Sequence, residues 1–160
     1  MKEPAIVENQ ARIARLIYRQ AVIITISLIL GVFIYGGVGF YSVWTGHPAN
    51  VMVSGSTYRL FQLGAFMLGG LAIAGSRFWT RRMLSTQGFG ALRERHPKEL
   101  YLATIIQGTA AESPVFLALA LLFFSRDTYG FIPFAVFSLA TLVLSFPQKQ
   151  KWEEWLGFDF

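Results

Sequence analysis

A single carboxylate, Glu112, interrupts the apolar run of residues 100–124, about twelve residues from either end. If that run crosses a bilayer, the carboxylate lies near the midplane. An ionisable group there is costly unless it is paired, hydrated or neutral. Tyr101, Thr104, Gly108, Ala111 and Glu112 recur every three or four residues, so they share one helical stripe, with Gln107 at its edge. Pro114 has no N–H to give the carbonyl of Ala110, which frees an acceptor one turn from the carboxylate and favours a kink. A carboxylate, hydroxyls, an amide and a free carbonyl form a donor set for a proton or a small hard cation. Glu112, Thr109, Gln107, Thr104 and Ala110 are therefore the candidate ion-binding residues. The competing reading is a neutral Glu112 that hydrogen-bonds a neighbouring helix as packing glue. Residue types alone leave both open.

Other chemistry finds little material. The absence of cysteine excludes disulfides, thiolate metal sites and cysteine nucleophiles. His47 and His96 fall in loops on opposite sides of the expected spans, so they cannot share a haem or a metal. No phosphate-binding loop, dinucleotide fingerprint or HExxH motif is present, and the glycines of residues 87–90 make only a turn. Neither enzymatic activity, nor a cofactor, nor a metal is expected.

The elements that must position Glu112 follow from the distribution of charge. Hydrophobic residues make up 54% of the 160-residue chain and charged ones 14%, and the mean hydropathy is +0.47. Charges are gathered into short stretches that separate four apolar runs, at about residues 21–44, 60–76, 100–124 and 128–146. Each run suits a helix crossing a hydrocarbon core of about 30 Å, and the runs are continuous rather than alternating, which argues against strands. The first run is too long for a signal-peptide core, has no small-residue cleavage site after it, and reads as a retained span. Lys and Arg number 4, 1, 6, 1 and 2 in the five segments outside the runs. That alternation places both termini and the loop between spans two and three in the cytoplasm.

Flanking features add contacts. Arg12, Arg15 and Arg19 fall on one face of a helical extension over residues 5–20, with Ile13 and Ile17 off it. Such a face suits anionic lipid or a protein partner. Trp152 and Trp155, beside charges in the tail of residues 147–160, suit an interfacial belt, or the aromatic end at residues 158–160 docks onto a neighbouring subunit. The formal charge of +5 is explained by lipid headgroups, with no need for nucleic acid. Gly69, Gly70, Gly108 and Pro114 mark positions where helices approach closely, within the chain or between chains.

Residues 110–124, AAESPVFLALALLFF, resemble the carboxylate-bearing helix of rotary ATPase proteolipid (c) subunits. In that family a glycine-rich helix and a basic cytoplasmic loop precede a helix with a midmembrane Glu or Asp; here span two, residues 95–97 and Glu112 take those places over about residues 64–124. The family's glycine at every second position is absent, the loop is longer, and spans one and two carry no second carboxylate. The resemblance implies that Glu112 carries a proton or cation. The Ala111-Glu112-Ser113 helix, the Phe131-Ile-Pro-Phe134 span and the Phe146-Pro147 exit are also similar to uncharacterised four-span proteins of bacterial membranes, which implies the inner (cytoplasmic) membrane.

The expectation is a single all-α membrane domain over residues 1–160: an integral membrane bundle of four transmembrane helices, both termini cytoplasmic. Two functions compete. One is a proteolipid-like subunit binding a proton or cation at a helix interface, as a homo-oligomer. The other is an accessory subunit among other membrane proteins, with Glu112 as glue and the two tails as contacts.

Overall fold

The computed structural model describes residues 4–45, 55–85, 96–125, 128–157 and 159–160. Five helices follow in order: α1 (Pro4–Trp44), α2 (Gly55–Ser85), α3 (Pro97–Ser125), α4 (Thr128–Leu144) and α5 (Lys149–Leu156). The expected all-α class is the observed one, with no strand among the described residues.

Prolines and glycine set several boundaries. Pro4 and Pro97 each open a helix, where a missing N–H costs nothing. Glu99 follows in the first turn of α3 and complements its dipole. α1 then runs unbroken for 41 residues, about 60 Å at 1.5 Å per residue. The basic segment before residue 21 is thus an extension of the first apolar helix. α4 ends before Pro147, and α5 stops at Gly157, whose φ of 77° is left-handed and whose N–H donates to the Glu153 carbonyl at 2.8 Å.

α3 is the hub: α1, α2 and α4 all pack along it, and α1 also meets α4. Its small residues Ala103, Gly108, Ala111 and Ala118 are buried and let neighbouring backbones approach. The central core joins Val32 of α1, Ala65 of α2, Val115 and Leu122 of α3, and Phe131, Phe134 and Leu142 of α4. Phe66 of α2 meets Phe134 and Phe137 with ring centroids 5.6 and 5.1 Å apart. The outer surface is apolar as well. Phe33, Ile34, Leu60, Phe61, Leu68, Leu71, Val136 and Val143 are all more than half exposed, a coat suited to lipid and not to water.

α1, α2 and α3 are each long and apolar enough to cross a membrane. α4 alone is 17 residues, about 25 Å, and joins them only when taken with α5 across a 47° bend. The second helix also outruns its apolar run of residues 60–76 and carries Arg77, Arg81 and Arg82 on its last turns.

The tail packs inward on the chain itself. Trp152 is only 4% exposed, in a second core with Ala14, Ala21, Leu100, Leu156 and Phe160. Trp155 packs against that core, together with Leu84 and Tyr101. Tyr18 of α1 touches Trp152 edge-on at 5.4 Å and Phe160 at 5.7 Å, and its hydroxyl donates to the Pro147 carbonyl at 3.3 Å. The chain's aromatic end thus docks on its own first helix, against residues 11–21.

Candidate functional site

Glu112 lies in the middle of the 29-residue α3, on the side that faces α1. Its partner position is Gly31. A Cβ built on Gly31 would stand 2.9 Å from Glu112 Oε1 and 3.7 Å from the Tyr35 hydroxyl. The missing side chain leaves room into which both oxygens look. Leu28, one turn before Gly31, fills the space over Gly108, where a Cβ would meet Leu28 Cδ1 at 2.5 Å. Tyr35, one turn after it, is held by Phe116, with ring centroids 4.6 Å apart. Small residues thus alternate across the α1–α3 contact: Gly108 accommodates Leu28, and Gly31 accommodates Glu112.

Glu112 is 6% exposed. Among the described residues no ion pair is formed with its carboxylate and no hydrogen bond reaches it. The other expected ligands are engaged elsewhere. Gln107 Nε2 donates to Thr80 Oγ1 of α2 at 2.7 Å, and Thr80 in turn donates to the Ser76 carbonyl at 2.9 Å. Thr104 Oγ1 donates to the Leu100 carbonyl at 2.9 Å. Thr104 and Gln107 line a separate cavity of about 300 Å³ beneath α5, with Ser145, Gln148 and Lys151. Thr109 is exposed. The Ala110 carbonyl, which Pro114 cannot satisfy, accepts the Ser113 hydroxyl at 2.8 Å. The expected five-residue ligand set is therefore not assembled around Glu112. The physical reason is angular: Gln107 lies five positions away, about 140° around the helix at 3.6 residues per turn, and so belongs to the α2 face.

Packing residues divide in the same way. Gly69 is buried against Pro114, where a Cβ would come within 2.7 Å of Cγ, 3.1 Å of Cβ and 3.2 Å of Cα. Gly70 has nothing within 4 Å of its Cβ position and faces outward. Arg12, Arg15 and Arg19 are exposed along α1. His47, Arg93, Arg95, the turn at residues 87–90 and residue 158 lie outside the described residues.

Tyr35 is the site residue that sequence reasoning missed. Its only signal was a tyrosine one turn after a glycine in an uncharged run. Comparison with protein families, curated proteins and solved structures finds no match to this chain. The geometry of the α1–α3 contact therefore carries the functional argument.

Proposed function

We propose that the chain is a small polytopic membrane subunit in which Glu112 takes up and releases a proton between α1 and α3. The observation that carries this reading is a buried carboxylate in the middle of a membrane-length helix, without a hydrogen-bond partner among the described residues. Packing glue requires such a partner, because a polar group stabilises a helix contact in lipid through the bond it makes. A proton requires only the carboxylate and a path. A hard cation requires six or more oxygens, and of the three atoms nearest the Gly31 Cβ position two are oxygens, Glu112 Oε1 and the Tyr35 hydroxyl.

The fuller topology belongs to the same proposal. α4, with residues 145–146, supplies a fourth crossing, and α5 lies beyond its end, folded against α1. The end where the tail meets α1 carries Arg12, Arg15, Arg19, Arg77, Arg81, Arg82, Lys98, Lys149 and Lys151 and faces the cytoplasm, by the positive-inside rule. The similarity of the third and fourth helices to four-span proteins of bacterial membranes favours a bacterial inner membrane. Self-association completes the reading, with Gly64, Gly70 and Gly75 of α2 open to a second copy. In the accessory alternative the tails make contacts to other subunits. Against it, Trp152 and Phe160 are already engaged within the chain.

A hydrophobic carbodiimide tests the site. The reagent attacks a protonated carboxyl in an apolar setting, so peptide mapping of the full chain is expected to place the adduct on Glu112, and acidification to speed it. A chain that stays unmodified at Glu112 across the accessible pH range contradicts the proposal. Native mass measurement of gently solubilised protein tests the assembly. A closed homo-oligomer is expected, and a fixed set of different chains would favour the accessory alternative.

A further inference from the structure

The cavity between α1 and the folded-back tail lies far from Glu112 and has a chemistry of its own. It measures about 370 Å³ and is lined by Arg15, Tyr18, Arg19, Lys149 and Phe160. Three cations from two helices thus surround one space. Arg15 and Arg19 are one turn apart on α1, on the same face. Lys149 opens α5 and is held in place twice, by Glu153 at 3.0 Å and over the Phe160 ring at 5.6 Å. Glu153 also accepts the Phe160 N–H at 3.1 Å, and Asp159 precedes Phe160 in the chain. Among the described residues neither Arg15 nor Arg19 has a carboxylate partner. The side chains that line the cavity are thus three cationic and two aromatic.

Its depth is set by the sequence. Arg19 stands just before the apolar run that begins at Ala21, and Lys149 just after the run that ends at Phe146. Both mark the level at which an apolar helix leaves hydrocarbon, where lipid phosphates lie. The walls are amphipathic. The rings of Tyr18 and Phe160 line it beside the cations, and the exposed Leu16 and Ile23 lie on the same helix. A guanidinium pair offers forked donors matched to a phosphate. The aromatic lining matches the glycerol and first methylenes of a lipid, which inorganic phosphate lacks.

We propose that Arg15, Arg19 and Lys149 form a binding site for the phosphate group of an anionic membrane lipid. The site exists only when the tail is docked, because Lys149 and Phe160 come from it. The bound lipid thus joins the first helix to the last. This inference is independent of the role of Glu112.

The test is native mass spectrometry of the full chain extracted from vesicles of phosphatidylcholine mixed with phosphatidylglycerol. Wild type is expected to retain phosphatidylglycerol in preference to phosphatidylcholine. The double variant Arg15→Gln/Arg19→Gln is expected to lose about thirty-fold in that retention, from two basic side chains. Arg15→Lys/Arg19→Lys, which keeps the charge but loses the forks, should fall between wild type and the glutamine pair and serves as the folding control. Arg12→Gln/Arg81→Gln removes equal charge outside the cavity and should behave as wild type. An equal loss in that last variant would mean diffuse attraction and overturn the site. Thermal stabilisation by inorganic phosphate alone, matching that by phosphatidylglycerol, would assign the pocket to a soluble anion and overturn the lipid.

Discussion

Gly69 and Gly70 are neighbours in sequence, yet alanine should act on them with opposite sign. At Gly69 the new methyl would meet Pro114 at 2.7, 3.1 and 3.2 Å, on Cγ, Cβ and Cα. Carbon atoms prefer about 3.5–4.0 Å. A proline ring cannot rotate aside, and its Cα is backbone, so α2 and α3 must separate by roughly 1 Å. Overpacking of this kind costs about 1–3 kcal/mol, and the helix preference of alanine over glycine returns at most about 1 kcal/mol. The net expectation is a loss of about 1–2 kcal/mol. At Gly70 nothing lies within 4 Å, so Gly70→Ala should be neutral or gain up to about 1 kcal/mol. The assay is reversible unfolding by denaturing detergent in mixed micelles, followed by far-ultraviolet circular dichroism. The double variant Gly69→Ala/Pro114→Ala adds a control. It removes the 2.7 Å contact, so the second substitution should recover part of the loss. A Gly69→Ala protein as stable as Gly70→Ala would refute the close α2–α3 contact.

Other perturbations separate the parts of the account. Gly31→Ala places a methyl 2.9 Å from Glu112 Oε1, the flexible end of a side chain; stability should change by less than about 1 kcal/mol, while carbodiimide labelling of Glu112 changes markedly, and an unchanged labelling rate would count against the α1–α3 site. Trp152→Ala should cost about 3 kcal/mol and expose the tail at Lys149 and Lys151 to trypsin, since Trp152 anchors α5 on Tyr18; a protected tail would contradict the docking. Glu153 is held below its ordinary value of 4.5, first by the Phe160 N–H and then by Lys149. Its contribution to tail docking is therefore complete above that value and fades as pH falls through the lower, folded one. Tail fluorescence should hold steady from neutral pH to about 4.5 and change only below, and Glu153→Gln should lack that transition; a wild-type transition near neutrality would refute the assignment.

Much of the architecture was legible because lipid imposes a strong constraint. Continuous apolar runs bounded by Arg and Lys can only be helices, and α1, α2 and α3 cover the runs so read. Glu112 stood out for the same reason, and Gly69, Gly108 and Pro114 do sit at close helix contacts. What periodicity could not supply was which neighbour covers each face. Thr104 and Gln107 share a polar character with Glu112 but turn toward α2 and α5, while the Glu112 environment comes from Gly31 and Tyr35, some eighty residues earlier in the chain. The tail's packing on α1 was hidden for a related reason. A short amphipathic helix with tryptophans has the same pattern whether it rests on a bilayer or on its own first helix. Only the edge contact of Tyr18 with Trp152 and the ring of Phe160 distinguish the two.

The central claim is that Glu112 binds a proton reversibly. Infrared difference spectroscopy of the reconstituted full chain, taken between two pH values, reads that event at the carboxyl group itself. A protonated-carboxyl carbonyl band should appear on acidification, vanish on return, shift in heavy water and be absent from Glu112→Gln. A spectrum in which wild type and Glu112→Gln respond alike at every pH where the protein stays folded would contradict it.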